Sequence, residues 1–575
     1  MPRIPKYAIL LAVVTAFGLV RAQVKSYTPV TQQMLENPSP NDWLMFSRTY
    51  DAQRYSPLNQ INKQNIAQLR MVWSRGIGAG QTETIPIVHD GVMYVALPGA
   101  IVQALDATSG DVLWEYKRPV PANVASQART KTLAIYQDII AYTAPDSFVV
   151  GLDARTGEKR WEAKTDTRGH TSGPIIVEGK VISGGACGGA RANCYIAAHD
   201  ALTGKEVWRF YTTPAPGEPG DESWNGAPLD SRRASTWGLP GAYDPVRKLT
   251  YWGVANPMPD QRSERHGTAD GVSRTAPADL YSNSTIALDP ATGKLAWYYQ
   301  HLPADDWDLD HTHERILARV RFNPDPRNVK WINPNIRRGE ERDVTVTIAE
   351  GGGLSVLDRA TGQFLWATPF PFDSPNFAIS DIDVNTGRSS INWDIVFKQP
   401  GETHIICYWN TKSYWPAAFS PQTNSLYTSY IDNCRELTTA GPGGRGGWKV
   451  VPRPGSDPKA LTGLAKVNLS TGETIRFDVG RAPGNGAMLV TAGGLVFHGD
   501  MNRRFRAFDA ETGKQLWESI LGGNISVSTI TYAVNGKQYV AVMTGDNLKV
   551  SELSAGVPEM KTPTGHNAIY VFALP

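Results

Sequence analysis

The chain has 575 residues, of which 41% are hydrophobic and 19% charged, so it can bury a large core and is not a disordered tail. Its 57 basic and 55 acidic residues give a formal charge of +2 without a dense basic face, which argues against nucleic acid as a partner. The 54 Gly, 40 Pro, 17 Trp and 22 Tyr residues favour many short strands joined by turns, and therefore an all-β fold.

The first 22 residues have the features of a secretory signal peptide. Arg3 and Lys6 precede an apolar run at 7–20, and small residues occupy two cleavage-site positions that end at Ala22. The run is shorter than the roughly 20 residues that cross a bilayer, so a membrane anchor is the weaker alternative. We expect export to the periplasm, a mature chain of residues 23–575 and no membrane insertion.

A repeated segment organises the chain. It has the form apolar-Asp-x-x-(Thr or Ser)-Gly-x-x-x-Trp, and a degenerate copy lies at 466–477. Each copy predicts a hairpin, with a strand that ends at Asp, a turn closed by Gly, and a returning strand whose Trp docks between neighbouring units. The full copies are at 104–114, 151–161, 198–208, 287–297, 356–366 and 507–517.

Alternating apolar runs between the copies predict the remaining strands of four-stranded units. The clearest runs are at 91–97, 180–185, 493–499 and 537–545. Seven copies leave room for one unit without the signature, so we expect a single domain, 23–575, built as an eight-bladed β-propeller. The wide gaps at 211–286 and 370–465 are expected to be long loops. The repeat alone fits an enzyme and a scaffold equally well.

The four cysteines of this exported chain favour two disulfides. Four cysteines allow three pairings, and the short separations favour Cys187–Cys194 and Cys407–Cys434. A four-cysteine metal site is the alternative, but no CxxC spacing occurs. Without a CxxCH motif, the sequence also predicts no covalently attached haem.

The Trp hairpins and several local motifs together resemble the pyrroloquinoline quinone (PQQ)-dependent alcohol dehydrogenases, a family of eight-bladed periplasmic propellers. The resemblance covers nearly all of the mature chain and is closest to the sorbose and sorbosone dehydrogenase branch, with markers at 91–110, 208–224 and 567–575. It implies PQQ, a bound metal ion, an alcohol substrate and a soluble electron acceptor such as a cytochrome c.

The segment DDWDLD at 305–310 resembles the catalytic segment of the family, in which the Asp directly after Trp is the general base. Asp308 has that position. Hydride leaves an alcohol carbon readily only as its hydroxyl proton is withdrawn, so the chemistry needs such a carboxylate. The alternative interpretation is an acidic surface loop.

The resemblance also implies a set of cofactor-binding residues. Glu83 matches a Glu that hydrogen-bonds the cofactor, Arg129 matches an Arg that polarises the quinone carbonyls, and Trp237 matches the indole that forms the floor under the ring. For each, the alternative is an ordinary structural residue of a blade. Donors expected around the cofactor carboxylates are Thr143, Thr171, Ser172, Gly185 and Ala186.

A metal ion is expected beside the quinone, because PQQ offers oxygen and nitrogen atoms to a hard cation. Asn256 matches one family ligand, and Asp308 can also lie against the ion. Asp310 has the position of an additional ligand in members that use lanthanides. Calcium is the first expectation, since this single Asp can instead hydrogen-bond His311 or His313.

The chain departs from the family pattern at several positions. Cys187 replaces a glutamate ligand, which puts the metal site in doubt, and no two cysteines adjoin. Glu350 replaces a Lys or Arg, and Tyr414 replaces an Asn or Asp before Trp-Pro. The substrate side has therefore diverged, and a sugar, polyol or other bulky primary or secondary alcohol is expected rather than methanol.

Two rival functions remain open. One is a non-catalytic propeller that resembles the scaffolds of outer-membrane assembly. The other is a lyase or hydrolase that uses paired carboxylates, for which Asp305, Asp306 and Asp308 form the compact cluster.

Overall fold

The computed structural model describes residues 24, 26–187, 191–440 and 446–575, so the predicted signal peptide lies outside the described residues. This part of the chain forms ten sheets, of which eight have four or five strands. The predicted all-β fold is confirmed. The eight larger sheets, numbered 1 to 8 below, are the candidates for the eight predicted blades.

Sheets 1 to 4 follow one another along the chain, each with four antiparallel strands. Sheet 1 contains Ile87–His89, Val92–Leu97, Ile101–Asp106 and Val112–Lys117. Sheet 2 contains Ala134–Tyr136, Ile139–Ala144, Phe148–Asp153 and Lys159–Lys164. Sheet 3 contains Ile175–Val177, Lys180–Ser183, Tyr195–Asp200 and Glu206–Tyr211. Sheet 4 contains Ala242–Asp244, Leu249–Gly253, Ser284–Leu288 and Leu295–Gln300.

Sheets 5, 7 and 8 include a peripheral or distant strand, and sheet 6 has the same four-stranded plan with a long insertion. Sheet 5 contains Ile316–Arg321, Glu341–Ala349, Gly352–Asp358, Phe364–Thr368 and Trp331–Ile332. Sheet 6 contains Ala418–Ser420, Ser425–Ile431, Thr462–Asn468 and Thr474–Gly480. Sheet 7 contains Tyr55–Ser56, Leu489–Thr491, Leu495–Gly499, Arg504–Asp509 and Gln515–Ile520. Sheet 8 contains Ile530–Val534, Lys537–Thr544, Ala568–Ala573 and Arg70–Gly76.

Short elements complete the described part of the chain. Two small sheets contain Ile379–Ile382 with Ser389–Ile391, and Thr403–Ile406 with Asn433–Thr438 and Gly447–Pro452. The α-helices are Gln32–Glu36, Ala122–Ala125, Arg262–His266 and Leu548–Ser554. The 3₁₀ turns are Ile66–Gln68, Arg191–Asn193, Asp221–Trp224, Leu229–Ser231 and Trp393–Ile395. Within the described residues, no helix is long and apolar enough to span a bilayer.

The repeat tryptophans of sheets 1 to 4 dock each of these sheets against the next, as predicted. The indole of Trp114 in sheet 1 donates a hydrogen bond to the carbonyl oxygen of Ala154 in sheet 2 at 2.9 Å. That ring lies so close to Gly157 that a Cβ there would come within 2.4 Å of it. Because Gly157 also has φ +73°, the glycine of the signature is required both by the turn and by the docked indole.

Sheet 8 explains the missing eighth signature. Its strand Arg70–Gly76 comes from the amino-terminal region and pairs with the carboxy-terminal strand Ala568–Ala573. The two halves of the hairpin are thus far apart in sequence, although Trp73 still docks on sheet 1 through the carbonyl oxygen of Ala107 at 3.2 Å.

The two gaps of the repeat pattern contain strands, so the prediction that they are only long loops is wrong. The first gap contains two strands of sheet 4. The second contains two strands of sheet 6 and all the strands of both small sheets. The signature marks only the last two strands of each unit, so the first two were missed there. Both predicted disulfides, Cys187–Cys194 and Cys407–Cys434, are confirmed.

Candidate active site

The acidic segment 305–310 is buried rather than a surface loop, so that alternative is wrong. The Asp305 carboxylate accepts hydrogen bonds from the backbone N–H groups of Trp307 and Leu309, each at 2.7 Å. Asp306 accepts two further backbone N–H groups at 2.7 and 2.8 Å. Both carboxylates therefore shape the turn, and they do not form the paired reactive group that a lyase or hydrolase would need.

Asp308 differs from its neighbours in the same turn. Its backbone is left-handed, with φ 65°, and its side chain is 47% exposed. The nearest cation is the Arg435 guanidinium, whose Nη1 lies 3.9 Å from Oδ2. Although the side chain is half-exposed, partial desolvation by the surrounding protein raises the pKa of Asp308 above its ordinary value, while Arg435 and Lys549 oppose the rise. A carboxylate with a raised pKa is a stronger proton acceptor once it is ionised.

Asp310 joins two other predicted site residues. Its Oδ2 accepts the indole N–H of Trp237 at 2.8 Å, and its Oδ1 accepts the backbone N–H of Asn256 at 3.1 Å. These bonds replace the alternative contacts with His311 or His313. Burial, and then the charge of the neighbouring Glu350, raises the pKa of Asp310 well above its usual range.

Glu83 and Trp237 both lie close to a lysine that the sequence prediction missed. The Lys131 ammonium is 3.1 Å from Glu83 Oε2 and 5.2 Å from the centre of the Trp237 ring, and both charged side chains are fully buried. Burial lowers the pKa of Lys131, which the Glu83 charge opposes. The predicted cation Arg129 lies two residues earlier, is half-buried, and donates to Gln81 Oε1 at 2.9 Å.

The five predicted small donors fall into two groups. The hydroxyls of Thr143 and Ser172 are buried and have no hydrogen-bond partner among the described residues. The Thr171 hydroxyl donates to the carbonyl oxygen of Trp237 at 2.7 Å. The N–H groups of Gly185 and Ala186 donate to Thr236 Oγ1 and to the carbonyl oxygen of Gly169, each at 3.1 Å.

These observations fit a planar, anionic cofactor such as PQQ. Buried hydroxyls without partners are costly unless a ligand satisfies them. Ser172 follows Thr171, which bonds the backbone of Trp237, and Thr143 accepts a hydrogen bond from the residue before Lys131. The two unpartnered hydroxyls therefore belong to segments that bond the backbone of Trp237 and of the residue before Lys131. The indole and the ammonium of these two residues are groups of the kind that stack on and neutralise such a molecule.

A cation from elsewhere in the chain lies beside Glu350, where the family pattern has Lys or Arg. Lys549 Nζ lies 3.2 Å from Glu350 Oε1 and 3.0 Å from Glu552 Oε2. Burial raises the pKa of Glu350 to about 7, with Lys549 opposing and Asp308 adding to the rise. The short helix Leu548–Ser554 that carries Lys549 also contacts Glu83, through the Leu548 N–H at 3.4 Å from Oε1.

The predicted metal ligands are fewer than a complete protein cage requires. Within the described residues, no group of three His, Cys, Asp or Glu side chains is placed to hold an ion. Cys187 is in a disulfide and offers no thiolate. Asn256, Asp308 and Asp310 carry oxygen atoms of the kind that hard cations prefer, so this set fits a metal whose other ligands are cofactor atoms.

Comparison with known proteins agrees with a PQQ-binding propeller. The family model "PQQ: Glucose/ethanol/alcohol dehydrogenase, beta-propeller domain" matches residues 43–369 and 460–540. The dehydrogenase subunit of alcohol dehydrogenase (quinone) from Gluconobacter oxydans is 29% identical over 631 residues, which cover 100% of this chain and 79% of the relative.

Two further relatives bear on the acceptor and the metal. The 1-butanol dehydrogenase (cytochrome c) of Thauera butanivorans is 31% identical over 566 residues, covering 91% of this chain and 76% of the relative. A solved europium-containing methanol dehydrogenase superposes with a TM-score of 0.79 at 29% identity, covering 94% of this chain and 100% of the other.

Proposed function

The chain belongs to the family of PQQ-dependent alcohol dehydrogenases, and from this premise we propose that it is a periplasmic enzyme that oxidises a bulky alcohol, such as a polyol or sugar. The product is the aldehyde or ketone, and the electrons pass to a soluble acceptor such as a cytochrome c. The observation that carries the proposal is the position of Asp308. Its carboxylate is half-exposed although the turn that carries it is buried. The next acidic residue of that turn, Asp310, accepts a hydrogen bond from the Trp237 indole.

In this proposal Asp308 accepts the proton of the substrate hydroxyl. When bound, PQQ supplies the two-electron acceptor for the hydride. Trp237 supports its ring, Glu83 and Lys131 present hydrogen-bonding groups to it, and Thr143 and Ser172 donate to its carboxylates. Arg129, which donates to Gln81 Oε1, supplies a second cation for the quinone carbonyls.

We further propose that Asn256, Asp308 and Asp310 hold Ca²⁺ or a lanthanide ion. Such an ion keeps the Asp308 carboxylate ionised despite its raised pKa, because a nearby cation favours the charged form. The europium in a solved neighbour supports the lanthanide as an alternative to calcium.

Other observations support export and a separate acceptor. The two disulfides favour an oxidising compartment, and amino-terminal sequencing of the secreted chain is expected to show cleavage after Ala22. The cysteines are all accounted for by the disulfides. We therefore expect no covalent haem, so a separate carrier must reoxidise the enzyme, as the printed name of the butanol relative suggests for that protein.

The test is reconstitution of apoprotein with PQQ and either Ca²⁺ or La³⁺, measured as dye-linked alcohol oxidation. Asp308→Asn keeps the shape of the side chain and removes its basicity, so turnover is expected to fall about 10²–10⁴-fold. Bound quinone is quantified by its absorbance, because Asp308 also contacts the proposed metal. Full occupancy with near wild-type turnover would show that Asp308 is not the base, and activity without quinone would contradict the function itself.

A further inference from the structure

Two tryptophans and an arginine pack against one another beside the proposed base, in a cluster here called the Trp–Arg shelf (Trp409, Arg435 and Trp448), of which Trp448 is the exposed member. The ring centroids of the two tryptophans are 4.8 Å apart. The Arg435 guanidinium carbon lies 4.9 Å from the Trp409 ring centre and 5.3 Å from that of Trp448. Trp448 is 44% exposed, which is unusual for so large an apolar side chain, whereas Trp409 is only 3% exposed.

Covalent and backbone bonds hold the shelf in place. The disulfide Cys407–Cys434 joins the segment that carries Trp409 to the strand that carries Arg435. Trp448 lies on the adjacent strand, where it pairs with Leu437. A surface fixed in this way loses little conformational entropy when a ligand stacks on it.

The shelf adjoins Asp308. Arg435 Nη1 donates to the carbonyl oxygen of Trp307 at 3.2 Å and lies 3.9 Å from Asp308 Oδ2. A molecule that lies on the shelf therefore places its edge next to the carboxylate that accepts the proton in the proposed reaction.

Several polar atoms around the shelf lack partners. Trp409 Nε1, Arg435 Nε and Asn410 Oδ1 are buried and have no hydrogen-bond partner among the described residues. Asn410 Nδ2 donates to Glu552 Oε2 at 3.3 Å, which brings a further acceptor to the same place. Donors and acceptors that converge beside an aromatic face are the features of a ligand site.

We propose that the Trp–Arg shelf is the subsite that seats the ring of a neutral cyclic polyol while one of its hydroxyls meets Asp308. Such a ring has an apolar C–H face, which stacks on indole, and hydroxyls at its edge, which satisfy the unpartnered donors and acceptors. A short linear alcohol offers neither the face nor the second hydroxyl. The inference rests on the proposed function and names its substrate class.

The charges around the shelf favour a neutral ligand over a sugar acid. Arg435 and Lys549 are the cations, whereas Asp308, Glu350 and Glu552 are the acids, and Lys549 is already paired with two of these. A carboxylate on the ligand would compete with Asp308 for Arg435 and would be repelled by Asp308. The selectivity is therefore for hydroxyl groups.

The test compares a cyclic polyol with a linear alcohol in the PQQ-loaded enzyme. The probes are cyclohexane-1,2-diol and methyl glucopyranoside against butan-1-ol. Trp448→Ala is expected to raise KM for the cyclic probes about ten-fold and to leave KM and kcat for butan-1-ol within about two-fold, because stacking is lost while Asp308 is intact. Trp448→Phe keeps an aromatic face and is expected to restore most of the selectivity.

Tyr298→Ala is the matched control, since Tyr298 is an exposed aromatic residue (39%) on the last strand of sheet 4. It is expected to behave as wild type. An equal effect of Trp448→Ala on cyclic and linear alcohols, or no effect on either, overturns the proposal. So does a change in KM for a cytochrome c acceptor alone, which would make Trp448 part of an electron-transfer contact.

A binding measurement separates the shelf from the proposed function. Isothermal calorimetry of the cyclic probes against wild type and Trp448→Ala requires no turnover. If no alcohol is oxidised but binding depends on Trp448, the proposed function fails and the shelf stands. If butan-1-ol is oxidised but the cyclic probes bind both proteins alike, the shelf fails and the function stands.

Discussion

Lys131 brings a positive charge into the most enclosed part of the site. Its ammonium lies 3.1 Å from Glu83 and faces the Trp237 ring, with no exposed surface. In low-dielectric surroundings this charge stabilises an anionic ligand more than the half-buried Arg129 does. We expect Lys131→Met to weaken PQQ binding about ten-fold or more, and Arg129→Met to weaken it less, in equilibrium dialysis against apoprotein.

A control for this prediction must account for Glu83, the ion-pair partner of Lys131. Lys131→Met alone leaves Glu83 buried and unpaired, which is itself costly. The double variant Lys131→Met with Glu83→Gln removes both charges, and its melting temperature separates destabilisation from lost affinity. If Arg129→Met weakens PQQ more than Lys131→Met does, then Arg129 faces the cofactor, as the sequence alone predicts.

Local motifs predicted the residues that lie within one short segment. Asp308 and Asp310 were identified from DDWDLD, and the structure brings Asp310 to Trp237 and Asn256, which the same resemblance selected. Lys549 and Lys131 were not identified, because their importance arises from contacts with Glu350 and Glu83, which are distant in the chain. No local pattern specifies such pairs.

At the scale of elements, the turn at 305–310 is held by Asp305 rather than by solvent. The Asp305 carboxylate accepts two backbone N–H groups and is fully buried, and burial raises its pKa to about 6 while these bonds oppose the rise. Asp308 has a left-handed backbone within this turn, with φ 65°. A substitution at Asp305 therefore acts on the base through the backbone.

We expect Asp305→Ala to destabilise the protein by about 2–4 kcal/mol, because two buried N–H groups lose their acceptor. Turnover is expected to fall although Asp308 is unchanged. Denaturant unfolding and dye-linked activity measure the two effects. Asp270→Ala is the control, since its side chain is 65% exposed. A mild Asp305→Ala phenotype would mean that the turn keeps its shape without this carboxylate.

The hairpins were predictable because their signature is complete within eleven residues or so of contiguous sequence, with a turn residue and a docking residue at fixed spacing. The strands in the gaps at 211–286 and 370–465 were not predictable, because no local pattern in the sequence identifies the strands with which they pair. Strand Ser425–Ile431, for example, pairs with Thr462–Asn468 over a long insertion.

At the scale of the whole molecule, sheet 8 joins a strand from the amino-terminal region to the carboxy-terminal strand. Arg70–Gly76 pairs with Ala568–Ala573, and Trp73 then docks on sheet 1 as the repeat tryptophans dock on their neighbours. The contact therefore joins the first and last parts of the chain. The sequence predicted a unit without the signature, but it contains no local sign that its strands come from both ends.

This closure makes Trp73 equivalent in kind to Trp114. Each indole donates to a backbone carbonyl of the next sheet, at 3.2 Å for Trp73 and 2.9 Å for Trp114, and each packs on a turn glycine, Gly110 or Gly157. We expect Trp73→Ala and Trp114→Ala each to cost about 3–5 kcal/mol in denaturant unfolding, as for other buried tryptophans. A nearly neutral Trp73→Ala beside a costly Trp114→Ala would mean that strand pairing alone closes the molecule, and that the docked indole stabilises only units built from contiguous sequence.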